Sequence, residues 1–228
     1  MKGESLPLSV KLKKLKSLAH AGLFYYKGDY AVKFYVIADS YINHLVACDQ
    51  HVYKNKGTRP YFGVVLEVNG VEFLAPLTSY KEKQDKIPNS SPLIFKMYEL
   101  GNEENKLGMV QINNMVPVLS SEVEILDLSV LDTKYQNLLN LQQQFLRKNQ
   151  EELQKKASKL YKIVSKGFAT GIINMCCDFQ ALETAMKTYV PSIAQESAVP
   201  TVAQESSSEP QSDFQDKLSA LCSKYSKK

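Results

Sequence analysis

The clearest pattern of apolar and polar positions lies at 61–77. There Tyr-Phe-Gly-Val-Val-Leu-Glu-Val is followed by Asn69-Gly70 and then Val-Glu-Phe-Leu-Ala-Pro-Leu. Two β-branched and aromatic runs joined by Asn-Gly predict a two-residue hairpin, because both turn positions need positive φ. Similar runs predict strands at 33–37, 93–98, 107–112, 115–119 and 123–126, with a tight turn at Asn113-Asn114. After Asp39 or Ser40 as a cap, Tyr41, Ile42, Leu45 and Val46 recur at helical spacing. Past residue 132 the period changes for good. Leu138, Leu141 and Phe145 form one helical stripe, Leu153, Ala157, Leu160 and Val164 a second, and 179–189 reads as a further helix. Gly167 stands where the second stripe needs a C-terminal cap. Strands first and helices last, with no βαβ alternation and no repeat, predict an α+β fold on a mainly antiparallel sheet.

Charge changes the picture of where this domain begins and ends. The 228 residues carry 28 Lys and Arg against 24 Asp and Glu, a net of +4. That excess sits in residues 1–32, where six Lys face only Glu4 and Asp29. We therefore expect a basic N-terminal extension at 1–32, a working domain at 33–190, and a tail at 191–228. The tail opens on a stretch rich in Ser, Ala, Gln, Glu and Pro, which predicts disorder, with a short helix at 213–225.

The near-neutral middle hides a segregation of sign. Residues 99–132 hold seven acids and one base, whereas 134–166 hold eight bases and only Glu151 and Glu152. Lys148, Lys155, Lys159, Lys162 and Lys166 follow steps of seven, four, three and four. They share one face if the helix continues past Asn149. Such a face is either simply solvated or a surface for a polyanion.

Other residue types exclude more than they suggest. No apolar run approaches the ~20 residues that span a bilayer, so no membrane association is expected. Cys48, Cys176, Cys177 and Cys222 have neither metal-ligand spacing nor a disulfide pattern, which fits reduced thiols in the cytoplasm. His20, His44 and His51 supply no zinc set, and no metal or other cofactor is expected. A Gly-rich phosphate loop and a nucleophile elbow are both missing.

What remains is the far end of the hairpin. Pro76-Leu-Thr78-Ser79-Tyr80-Lys81 offers two hydroxyls and a cation at a strand end. Tyr53-Lys54-Asn-Lys56-Gly-Thr-Arg59 offers three bases, a Tyr and no acid just before the hairpin begins. The outer ends of an antiparallel pair meet in space, so Arg59 is expected beside Thr78–Lys81. Hydroxyls, a Lys, an Arg and nearby Tyr rings would make a compact phosphate site.

An ordered series of segments also resembles a known family. It comprises Lys33-Phe-Tyr35, Ser40-Tyr41-Ile42, Gly63-Val-Val-Leu-Glu67, Leu74-Ala-Pro-Leu-Thr-Ser79, Asn105-Lys-Leu-Gly-Met109, Val116-Pro117 and Leu126-Asp-Leu128. It continues through Tyr135, Gln144-Phe-Leu-Arg147 and Cys177-Asp-Phe179. The series is similar to the ToxN/AbiQ endoribonuclease toxins of type III toxin–antitoxin and abortive-infection systems. The resemblance implies a compact, twisted, barrel-like antiparallel sheet surrounded by helices. It also implies metal-independent RNA cleavage, in which the substrate's 2′-hydroxyl attacks to leave a 2′,3′-cyclic phosphate. The implied partners are a repeat RNA antitoxin folded as pseudoknots, held in a closed protein–RNA complex, and cellular or phage mRNA as substrate. The implied outcome is growth arrest or phage defence.

Position by position, the resemblance implies that Thr78 and Ser79 are the hydroxyl pair, Lys81 the neighbouring active-site Lys, and Tyr41 a Tyr on the first helix. It places Arg59 where a Lys occurs and Tyr53 as a second active-site Tyr, while Tyr80 stands where Pro is usual. Lys54, Lys56 and the stripe Lys148, Lys155, Lys159, Lys162 and Lys166 are the candidate RNA contacts. Two rivals remain at this point: a non-catalytic RNA-binding regulator using the same basic face, and a similar toxin held by a protein antitoxin.

Overall fold

The computed structural model describes residues 32–54 and 62–191. The expectations for the N-terminal extension up to Ala31, for Lys56 and Arg59, and for the tail past Pro191 lie outside the described residues.

Among the described residues seven strands form one antiparallel sheet in the order β4-β5-β3-β2-β1-β7, with β6 paired to β3. They are β1 (Phe34–Ile37), β2 (Phe62–Val68), β3 (Val71–Ser79), β4 (Ile94–Glu99), β5 (Asn102–Gln111), β6 (Val116–Pro117) and β7 (Val123–Ile125). The helices are α1 (Asp39–Cys48), α2 (Thr133–Lys148), α3 (Gln150–Ser165), the single turn α4 (Thr170–Ile173) and α5 (Phe179–Thr188). This is the expected α+β order, and the sheet is open rather than barrel-like, with β4 and β7 as its edges.

The Asn-Gly hairpin forms as its dipeptide dictates. Asn69 (φ 56°) and Gly70 (φ 77°) both occupy the left-handed region, and pairing runs from Val68↔Val71 to Gly63↔Pro76. The other side of β3 is shared by two strands. β6 pairs at Phe73↔Pro117 and Leu74↔Val116, and β5 pairs at Leu77↔Val110 through Ser79↔Gly108. Between them the register shifts by three residues, which the 3-10 turn Ile112–Asn114 takes up. Pro76, with no N–H to offer a ladder, falls in that interval.

The helices bury apolar faces on the sheet. Phe73, Tyr161 and Phe179 form one cluster, the last two rings stacked at 5.8 Å. In α2 the buried line is Tyr135, Leu139, Gln142 and Leu146, so Leu138, Leu141 and Phe145 flank the core rather than lead it. Gln142 belongs there because its Nε2 donates to the Leu107 carbonyl at 2.8 Å. Helix α1 is capped by Ala38, not by the Asp39 or Ser40 expected from sequence. Cys176 and Cys177 are buried free thiols, and burial raises the Cys176 pKa to about 11.

Candidate active site and basic groove

Strand β3 carries Thr78 and Ser79 to its last two positions, both half-buried, and Lys81 follows in the open. Strand β5 closes onto this end, with Thr78 opposite Met109 and Ser79 opposite Gly108. Only glycine allows that approach. Gly108 has φ +126°, and a Cβ there would stand 2.0 Å from the Thr78 carbonyl oxygen. Neighbouring strand side chains leave on opposite faces, so Thr78 and Ser79 flank the strand end from two sides.

Gln84 braces this end from below. It is 4% exposed, in the 3-10 turn Glu82–Lys86. Its backbone N–H donates to the Lys81 carbonyl at 2.8 Å. Its Nε2 donates to the Ser79 carbonyl at 3.0 Å and to Thr78 Oγ1 at 3.4 Å. The Thr78 hydroxyl donates in turn to the Met109 carbonyl at 3.5 Å. One residue therefore holds this end twice, its side chain at Thr78 and Ser79 and its backbone N–H at Lys81.

The next residue on the same strand face, with the turn that follows the strand, brings in Tyr53. Gln111, two positions past Met109 on β5, donates from Nε2 to the Tyr53 hydroxyl at 3.0 Å. Asn114 Nδ2 donates to the His51 carbonyl at 2.9 Å, and Val52 between them is buried. Tyr53 itself is 44% exposed, and Lys54 beside it is exposed. The structure thus brings Thr78, Ser79, Lys81 and Tyr53 to one end of the sheet.

Sequence reasoning missed three residues here. Gln84 sat unremarked within Glu-Lys-Gln-Asp-Lys, and Gln111 within an apolar strand. Lys96 is opposite Met109 on β4, as Thr78 is on β3, so the three side chains project from the same face. The alternation of Lys96 between buried Phe95 and Met97 was a usable signal.

Beyond the turn, Asp85 joins two neighbours. The Tyr80 hydroxyl donates to Asp85 Oδ2 at 2.7 Å, and Lys106 Nζ donates to the same oxygen at 2.8 Å. The Lys106 ammonium, then the Tyr80 hydroxyl, hold the Asp85 carboxyl below its ordinary range.

Tyr41 is not part of this surface, which corrects the expectation carried by the resemblance. It is fully buried, its hydroxyl donates to the Pro117 carbonyl at 3.0 Å, and its ring meets Tyr189 edge-on. Burial, then the nearby Glu122, drive its pKa well above the ordinary value. A ring with no solvent-facing surface and a committed hydroxyl has nothing to offer a substrate.

The Lys stripe is real but shorter than expected. The chain breaks between helices at Asn149 (φ −110°, ψ 20°), so Lys148 ends α2 and does not continue the face of α3. Lys155, Lys159, Lys162 and Lys166 line one open groove with Gln154, Ser158, Ile163 and Phe168. Gln154 Nε2 donates to the Glu67 carbonyl near the hairpin turn. Glu67 pairs with Glu72, seven residues from Ser79, about 23 Å along β3. The groove and the Thr78–Lys81 corner are therefore served by different stretches of the hairpin.

Among the described residues no three His, Cys, Asp or Glu are grouped to hold a metal ion, and no helix is long and apolar enough to cross a membrane.

Comparison with known proteins gives the chain a lineage. The family model for the toxin ToxN of type III toxin–antitoxin systems matches residues 33–187. The chain belongs to the ToxN family. It is an endoribonuclease toxin by class. Endoribonuclease ToxN of Pectobacterium atrosepticum is 34% identical over 166 residues, 69% of this chain and 94% of that protein. Endoribonuclease AbiQ of Lactococcus lactis subsp. lactis is 29% identical over 165 residues, covering 69% and 89%. Among solved structures, a chain from a bacterial antiviral system regulated by a processed non-coding RNA is 33% identical, with a TM-score of 0.62, covering 69% of this chain and 98% of that one. A type III toxin selectively inhibited by a non-coding RNA pseudoknot is 30% identical, TM-score 0.59, covering 69% and 97%.

Proposed function

We propose that this chain cuts RNA without a metal cofactor at the Thr78–Lys81 corner, and that residues 33–190 form the working domain. The substrate's 2′-oxygen attacks the adjacent phosphorus, the bond to the 5′-oxygen breaks, and a 2′,3′-cyclic phosphate remains on the upstream fragment. The 2′-hydroxyl gives up its proton as it attacks and the departing 5′-oxygen takes one up, so the step balances in protons. The step concentrates negative charge on the non-bridging oxygens, which a Lys81 ammonium at the strand end can offset, together with Arg59. Ser79 holds the phosphate by a hydrogen bond. Thr78 takes part from the other side of the strand end by turning its hydroxyl from the long Met109 contact, and Tyr53 orients a base or the leaving group.

The observation that carries this reading is the Gln84 brace. A buried amide that holds a Thr hydroxyl and the Ser79 carbonyl, two residues before an exposed Lys, is preorganisation of a kind that a mere binding surface does not need. Lys54, Lys56 and the groove lysines Lys155, Lys159, Lys162 and Lys166 are assigned to RNA phosphates, those of a repeat pseudoknot antitoxin in a closed complex and those of mRNA substrate. Lys148 adds charge at the start of the same region. The setting is the cytoplasm, and the outcome is growth arrest or phage defence.

Lys81→Ala is the test. It should abolish cleavage in buffer containing a metal chelator while leaving thermal stability and RNA affinity near wild type, and the wild-type product should carry a cyclic phosphate end. Cleavage by the variant at the wild-type rate would remove Lys81 from the site. A wild type that is silent in chelator would remove the metal-free reading.

A further inference from the structure

The four groove lysines have an unexpected companion. Phe168 is 64% exposed, the largest exposure of any large apolar residue among those described. It lines the same groove as Lys155, Lys159, Lys162 and Lys166. Its position is built, not incidental. After α3 the Gly167 N–H donates to the Val164 carbonyl at 3.1 Å and the Phe168 N–H to the Ile163 carbonyl at 3.2 Å. This is the paired closure of a Schellman turn, in which the residue at Phe168 meets the one at Ile163. Both flanking residues are left-handed, Gly167 at φ 72° and Ala169 at φ 63°. Left-handed backbone at an alanine is unfavourable, so the local sequence accepts strain to hold the ring beside the lysines. A solvated helix face explains the lysines but gives no reason for a large aromatic ring left in water.

We propose that Phe168 is a base-stacking platform, and that the groove takes single-stranded RNA with phosphates on the lysines and an unpaired base on the ring. The proposal rests on the assignment of the groove lysines to RNA and adds the strandedness of its occupant. Charge complementarity selects a polyanion. The ring selects one with unstacked flat bases, because a duplex keeps its bases stacked on each other. Stacking tolerates any base, so this subsite contributes affinity without sequence choice.

The test uses the full-length protein and a short single-stranded RNA with 2′-O-methyl sugars, which cannot be cut by its own 2′-oxygen, carrying 2-aminopurine as a fluorescent base. Wild type should quench the fluorophore on binding. Phe168→Ala should weaken binding roughly 5- to 150-fold and lose the quenching. Phe168→Leu keeps an apolar side chain at the helix end and should bind as weakly as the Ala variant, whereas Phe168→Tyr should bind like wild type. The Leu variant separates stacking from a folding defect. Wild-type affinity and quenching in the Leu and Ala variants would overturn the platform, as would equal affinity of wild type for the corresponding duplex. The parent assignment is read separately through Lys159→Ala and Lys162→Ala. If these weaken binding and the Phe168 variants do not, only the platform falls. If neither set has an effect, the groove assignment falls with it.

Discussion

Glu67 and Glu72 face each other as a directly opposed pair across β2 and β3. Like charges so placed repel, and Glu72 is half-buried. Burial first, and then Glu67, push the Glu72 pKa up to about 6 from an ordinary 4.5. The native state therefore binds more protons than the unfolded chain between those values, so this pair makes stability fall as pH rises from about 4.5 to about 6, with no further loss above. Glu72→Gln should flatten that slope and raise stability at pH 7. Because the group is only partly buried, solvent screening keeps the gain below about 1 kcal/mol. Thermal melts of both proteins from pH 4 to 8 would check it, and parallel curves would refute it.

Gln84 is a positioning residue in the proposed site, so its loss should slow cutting more than it weakens the fold. Gln84→Ala should lower the cleavage rate roughly tenfold, as expected from one or two lost hydrogen bonds at about 1 kcal/mol each. RNA affinity should stay within about twofold. Rate, affinity and melting temperature measured together decide the matter. A large drop in melting temperature with an unchanged rate below it would make Gln84 purely structural.

Tyr41 gives the opposite expectation. Tyr41→Phe removes the hydrogen bond to the Pro117 carbonyl in a dry interior, which costs about 1–3 kcal/mol. The melting temperature should fall by a few degrees, and cleavage below it should match wild type. Lost cleavage with an unchanged melting temperature would return Tyr41 to the chemistry.

At Gly108, any side chain meets the Thr78 carbonyl. Gly108→Ala should separate β5 from the end of β3, destabilise the fold by roughly 2–3 kcal/mol through backbone strain, and abolish cleavage even where the protein remains folded. Denaturant unfolding paired with a cleavage assay tests both parts.

These residues also show what the sequence could and could not announce. The Asn69-Gly70 hairpin is written locally, since two positive-φ residues between β runs permit little else. The placing of β5 and β6 on one side of β3 is not local at all. Their three-residue offset depends on how Asn113 and Asn114 bond to the Met175 and His51 carbonyls, residues far away in sequence. Tyr41 misled because helical spacing is the same for a core Tyr as for a presented one. Gln84 and Gln142 gave no warning, because an amide in a polar run or on a helix declares neither its burial nor its partner. The Lys stripe was correctly spaced, but one residue, Asn149, divided the helix it was drawn on. The resemblance pointed to Thr78–Lys81 as the proposed site, and only the packing supplied what holds that strand end.

The Tyr53 phenol, finally, is gauged from β5 and not from its own loop. Gln111 grips its hydroxyl and Asn114 grips the His51 carbonyl, so a strand end and the turn that follows it act as a ruler for an aromatic ring. Chain inserted or deleted after Lys54 would leave that ring in register with Thr78. The spacing of the proposed site is thereby set by β5 and not by the chain that leads into β2.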